Sequence, residues 1–138
     1  MTHAQLAALH AACFTAPRPW TASEFSGVLN MPHSFLLTQS GGFLIGRAAG
    51  GEAELLTLAV PPEARRQGTG DLLIEAFVHQ IALMGAESAF LEVATDNHAA
   101  LALYAKHGFA EVAERKGYMK GTDGRARDAY IMRRDLGQ

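Results

Sequence analysis

With 138 residues, 49% of them apolar and 19% charged, the chain has the make-up of one ordinary globular domain, expected to span residues 1–138. A net charge of −2 leaves no basic footprint for general nucleic-acid binding. The lone Cys13 excludes an intrachain disulfide and fits a reducing cytoplasm, the first residues lack a signal peptide's basic and apolar regions, and no apolar run approaches a membrane span.

Leu6, Leu9 and Cys13 recur at helical spacing, which predicts a helix over about 3–15, ended by Pro17 and Pro19, with Cys13 as a small buried hydrophobe. Thr21 followed by Glu24 has the spacing of a capping box, and Phe25, Val28 and Leu29 supply the apolar stripe of a second helix stopped by Asn30 and Pro32. Strands are expected over 34–38 and 42–48, joined hairpin-fashion through Gln39-Ser40-Gly41. A third, 52–60, ends in Leu55-Leu56-Thr57-Leu58-Ala59-Val60, apolar on both faces as in a central strand, and Pro61-Pro62 breaks it.

A glycine-bearing loop, 65–70, then leads into an amphipathic helix carrying Leu72, Leu73, Ala76, Phe77, Ile81 and Met84, with Gly85 as its stop. Ser88 to Val93 reads as a buried strand. Asp96 or Asn97 caps a short helix to about His107, ended by Gly108. Two strands fit 109–115 and 128–134, and the Gly-, Thr- and Asp-rich segment 118–125 between them reads as a turn or loop. The order α-α-β-β-β-α-β-α-β-β predicts a mixed α/β (α+β) domain rather than a doubly wound one.

Arg65-Arg66-Gln67-Gly68-Thr69-Gly70 lies between a buried strand and a helix start. Helix N-termini expose unpaired N–H groups and partial positive charge, which attract phosphate. Gly68 and Gly70 lack the Cβ atoms that would hold a phosphate off the backbone, and Arg65 and Arg66 add charge. The Rossmann and P-loop glycine patterns are absent. Glu92, a carboxylate within the apolar strand Phe90-Leu91-Glu92-Val93, is either a solvated strand-edge residue or a general base whose pKa burial raises. Tyr104 shares a helix face with Asn97 and Leu101, and is either a core tyrosine or a general acid.

Arg65-x-x-Gly68-x-Gly70, in that strand-to-helix position, resembles the Q/R-x-x-G-x-G/A signature of the GNAT superfamily of N-acetyltransferases. The resemblance implies a mostly antiparallel central sheet of about six strands flanked by about four helices. It also implies acetyl-CoA as cosubstrate, its pyrophosphate held by the loop amides over Arg66–Asp71. Leu91-Glu92-Val93, Asn97, Ala102-Leu103-Tyr104 and Gly108-Phe109 are similar to the RimI branch, the ribosomal-protein-alanine N-acetyltransferases. So are Pro19-Trp20-Thr21 with Phe25, and the tail containing Tyr118, Thr122-Asp123-Gly124-Arg125 and Asp128 to Met132, so the likeness runs from about 17 to 134.

By that resemblance Glu92 is the proton acceptor, Tyr104 the proton donor and Asn97 a cofactor contact. Leu58, Ala59 and Val60 belong to the strand that holds the pantetheine arm. Arg65, Arg66, Gln67, Gly68, Thr69, Gly70 and Asp71 surround the phosphates. The chain departs from the pattern at Asp71, where relatives carry a basic or small residue, and its carboxylate is expected to point outward. Met119 replaces a second tyrosine, a proline is missing from the 118–125 loop, that loop is one residue longer, and little room precedes the first helix for the family's first strand.

The implied reaction is attack of a neutral amine on the acetyl thioester. An α-amino group, with a pKa of about 8, is roughly a tenth neutral at pH 7, against under a thousandth of a lysine at about 10.4. A protein N-terminus is therefore the favoured acceptor, in a cytoplasmic monomer or weak dimer that binds neither nucleic acid nor membrane. Alternatives are acetylation of a small amine or lysine, and a catalytically inactive CoA-binding regulatory domain. The six histidines show no metal-ligand spacing and no metal is expected, Arg133-Arg134 reads as a solvated strand end, and Trp20 as a core anchor that also shapes the acceptor groove.

Overall fold

The computed structural model describes residues 1–14 and 18–137, so Thr15, which the first predicted helix includes, and Pro17 lie outside the described residues. The elements in chain order are α1 (His3–Cys13), α2 (Ala22–Leu29), β1 (Ser34–Gln39), β2 (Gly42–Ala49), β3 (Glu52–Ala59), a 3-10 turn (Pro62–Ala64), α3 (Thr69–Leu83), β4 (Ser88–Ala94), α4 (His98–Lys106), β5 (Ala110–Lys120) and β6 (Ala126–Asp135). Among the described residues no strand precedes α1.

The helix starts follow from local chemistry. Thr21 Oγ1 accepts from Glu24 N–H while the Glu24 carboxylate accepts from Thr21 N–H, closing the capping box. Thr2 and Gln5 do the same for α1. Asn97, rather than Asp96, caps α4 through Oδ1. The β1–β2 connection is tighter than expected: Ser40 and Gly41 both take positive φ (49° and 81°), the two-residue turn whose twist matches that of its strands.

The six strands form one sheet in the order β1-β2-β3-β4-β6-β5, antiparallel except for β3–β4. Alternation along β2 sorts the core into two layers. Phe43 and Ile45 face Leu6 of α1 and Phe25 of α2, while Leu44 and Ala48 join Leu73, Ile74, Phe77 and Ile81 of α3 on the other side. Leu91, Tyr104 and Phe109 extend this second layer toward α4.

β5 corrects the expectation for 118–125. The strand runs on to Lys120, leaving only 121–125 as the turn. Its composition hid it because pairing with β6 is interrupted twice, between Glu111 and Ala113 and between Arg115 and Met119. In the second interruption Gly117 takes φ 58° and donates its N–H to Asp128 Oδ1 at 2.8 Å. Such bulges accommodate extra residues without ending the ladder. Arg133-Arg134 is not simply a solvated strand end. Arg134 Nη1 donates to the His107 carbonyl at 2.8 Å, closing the C-terminus of α4, and Arg133 lies over the Phe90 ring at 5.2 Å.

Candidate active site

The site begins where the sheet splits. β3 pairs with β4 only through Glu52–Ser88, Ala53–Ala89 and Glu54–Phe90, yet the strands continue to Ala59 and Ala94. The split coincides with a bulge in β2–β3: Ile45 pairs with Thr57 and Gly46 with Leu55, so Leu56 has no opposite number. A bulge sharpens the bend and twist of its strand, and here it turns β3 away from β4. A cleft of about 1010 Å³ opens in the fork. Leu58, Ala59 and Val60 line one wall, Glu92, Val93 and Ala94 the other, and Ala100, Leu103 and Tyr104 of α4 close it from below. From Leu55 onward, the β3 edge facing β4 carries no ladder partner.

The loop at 65–70 forms one end. Leu72 N–H is the first helical amide of α3 to find a backbone acceptor, Gly68 O at 3.0 Å, which leaves the N–H groups of Thr69, Gly70 and Asp71 unspent. Gly68 is the N-cap at φ 79°, and Arg66 also takes the left-handed region at φ 64°. Within the protein the two glycines serve different needs. A Cβ on Gly68 would meet nothing within 4 Å, so the residue is required for its backbone conformation. A Cβ on Gly70 would lie 2.9 Å from Leu103 Cδ2, so that glycine lets α3 start against α4.

Arg65 and Gln67 fold back onto their own loop, Arg65 Nε donating to Val60 O at 3.2 Å and Gln67 Nε2 to Glu63 O at 2.9 Å. Among the described residues neither Arg65 nor Arg66 forms an ion pair, so two cations stand uncompensated beside the free amides. Asp71 does not point outward into water. Its Oδ1 accepts from His107 Nε2 at 2.7 Å and pairs with Lys106 Nζ at 3.0 Å, both at the end of α4. The His107 and Lys106 donors hold its carboxyl below the usual carboxylate range. Cys13 is only partly buried, its Sγ donating to Val60 O at 3.5 Å with Arg65 Nη2 at 3.6 Å.

The other end holds the titratable pair. Tyr104 is 7% exposed, its ring packs edge-on to Phe109 at 6.1 Å, and it lines the cleft. Burial pushes its pKa well up, so the phenol holds its proton. Of the two readings of Glu92, the structure has the solvated one, not burial. It is exposed, because β4 alternates and the fork leaves its outer face uncovered. Tyr118 Oη donates to Glu92 Oε1 at 3.4 Å. Glu54 also lines the cleft, and desolvation followed by repulsion from Glu92 raises its pKa. Asn97 lines the cleft too, with Oδ1 committed to its capping bond. Arg18 N–H donates to Lys120 O at 3.1 Å, joining the segment before α2 to the end of β5 beside Trp20 and Tyr118.

Sequence reasoning assigned no role to His10, Glu54 or Thr57. The alternation of β3 signals Glu54 and Thr57 on opposite faces, but His10 had no pattern to betray it. Among the described residues no group of three or more His, Cys, Asp or Glu could hold a metal, and no helix is long and apolar enough to cross a membrane.

Known proteins resemble the chain in sequence and in fold. Residues 5–109 match the family model for the acetyltransferase (GNAT) family. The chain is 38% identical over 118 residues to the ribosomal protein bS18-alanine N-acetyltransferase of Escherichia coli, covering 83% of this chain and 79% of that one. It is 36% identical over 140 residues to the N-alpha-acetyltransferase RimI of Mycobacterium tuberculosis, covering 95% and 85%. The crystal structure of the Escherichia coli ribosomal-protein-alanine N-acetyltransferase superposes with a TM-score of 0.82 at 32% identity, covering 97% of this chain and 87% of that one. The chain therefore belongs to the GNAT acetyltransferase family.

Proposed function

We propose that this chain, as one domain over residues 1–138, transfers the acetyl group of acetyl-CoA to the N-terminal α-amino group of a protein, a ribosomal protein in the first instance. The fork carries the assignment: one continuous cleft joins uncompensated amides and arginines to a protonated, buried phenol and an exposed carboxylate. The amides of Thr69, Gly70 and Asp71, with Arg65, Arg66, Gln67 and Gly68 around them, would hold the CoA pyrophosphate at the start of α3. The unpaired edge of β3 at Leu58, Ala59 and Val60 offers backbone groups to the pantetheine amides, and Asn97 flanks that arm.

Acetyl-CoA supplies an activated thioester, and the remaining chemistry is proton traffic. Glu92, acting through water, takes the proton that the attacking amine must lose. Tyr104 donates the hydroxyl proton that its burial preserves to the departing thiolate. An α-amine is neutral often enough near pH 7 that an exposed carboxylate suffices as the acceptor. The cleft is built from one chain, so a monomer can act, and we place that action in the cytoplasm.

The test is incubation with acetyl-CoA and peptides bearing free Ala, Ser or Met N-termini, beside lysine peptides and small amines, with the acetyl position found by mass spectrometry. Glu92→Gln and Tyr104→Phe should each lower kcat on the N-terminal peptide by about 10²- to 10⁴-fold. Unchanged turnover in the double variant would remove both roles. Wild type that binds CoA yet acetylates nothing would establish a binding domain instead.

A further inference from the structure

Beside the acceptor half of the cleft, one buried titratable group takes no part in the chemistry above. His10, in the last turn of α1, is 1% exposed. Its ring lies among Phe14 (4.5 Å between centroids), Trp20 (5.3 Å), Phe25 (5.3 Å, edge-on) and Phe43 (6.3 Å). The Trp20 backbone N–H donates to Nδ1 at 2.9 Å. A backbone N–H can only donate, so Nδ1 carries no proton. The proton sits on Nε2, which faces Thr57 Oγ1 at 2.8 Å and donates to it.

The ring thus has a set tautomer and a hydrogen bond at each end. One end holds the segment that leads into α2, and the other holds β3 beside the bulge at Leu56. Trp20 and Thr57 both line the cleft.

An apolar side chain would fill this aromatic nest equally well and would leave no polar ring atoms to satisfy. What imidazole adds is a donor and an acceptor at fixed separation. Residues 18–20 belong to no strand or helix; Arg18 is tied to Lys120 O and to Glu24, and the Trp20 N–H is tied to His10. We propose that His10 is a positioning residue for the acceptor, setting the spacing between the Trp20 segment and β3 and so the width of the groove that receives the substrate amine. The proposal rests on the acetyltransferase function above and adds a determinant of acceptor binding outside the reacting groups.

Trp20 is the chain's only tryptophan, so its fluorescence reports peptide binding without turnover. His10→Phe keeps the bulk and removes both bonds; His10→Asn keeps an acceptor near the Nδ1 position. His10→Phe should raise the peptide KM, and the peptide Kd read from Trp20, about tenfold, with the acetyl-CoA KM within about twofold of wild type. His10→Asn should recover most of the loss. A peptide KM and Kd unaffected by His10→Phe, or a parallel loss for both substrates in both variants, would overturn the proposal. Should His10→Phe not fold, Thr57→Val should raise the peptide KM several-fold more than Thr57→Ser, and equal values for the two would overturn it. Failure of the functional assignment shows separately, as acetylation of a different amine by wild type; the variants are then measured against that amine.

Discussion

His10 makes a sharp prediction about acid stability. Burial holds the native imidazole down to about 4 from the ordinary 6.5, only partly countered by the charge of Glu24. In the unfolded chain the ring titrates near its ordinary value, so between pH 6.5 and about 4 the unfolded state binds a proton that the native state refuses. Stability rises with pH wherever the unfolded state binds more protons. The contribution of neutral His10 is therefore complete above pH 6.5 and is lost as pH falls through that window. Each pH unit of the window costs about 1.4 kcal/mol, so the full loss is about 3 kcal/mol, a large share of a small domain's stability. The assay is urea unfolding of wild type and His10→Asn at intervals from pH 7.5 to 4. Other groups titrate in both proteins and cancel in the difference. Wild type minus variant should fall by about 3 kcal/mol on acidification. A difference flat with pH would mean that the native ring accepts protons as freely as the unfolded one, and the tautomer assignment would go with it.

Other predictions follow from the core and the phosphate loop. Phe77→Ala removes a fully buried ring from the layer between α3 and the sheet and should cost about 3–5 kcal/mol in chemical denaturation. Gly68→Ala forces a Cβ into the left-handed region at φ 79°, and should cost about 1–2 kcal/mol while weakening CoA binding measured by calorimetry. Asp71→Asn should change CoA affinity less than about threefold, because the carboxylate serves Lys106 and His107; a tenfold gain would mean that it faces the phosphates after all.

Much of the scaffold was legible because it is local. The Thr21–Glu24 capping box, the apolar stripe of α3 and the Gly85 and Gly108 stops each rest on residues a few positions apart. The loop at 65–70 was legible as a glycine entry to a helix for the same reason, and Gly68 is the N-cap of α3. What the sequence left dark is tertiary. Whether Glu92 is solvated or buried could not be read from its apolar neighbours, because its exposure depends on where β3 leaves β4, in a strand far earlier in the chain. Asp71 was expected to point outward, away from the phosphates, but its partners could not be named because they lie at the far end of α4. β5 looked like a loop beyond Tyr118 because its bulges admit the residues that turns favour. His10 was passed over because a single buried histidine has no signature until Trp20 and Thr57 close around it.

Three residue pairs are all that join β3 to β4, so the sheet consists of two ribbons meeting along a short seam, with α3 spanning beneath. A ligand lying in the fork would occupy the place of the missing rungs, bonding β3 backbone that has no ladder partner there. A cosubstrate bound there would also be a removable brace across the seam. Amide exchange in Leu58, Ala59 and Val60 should slow when CoA is present, while the β1–β2 hairpin, paired along its whole length, exchanges as before.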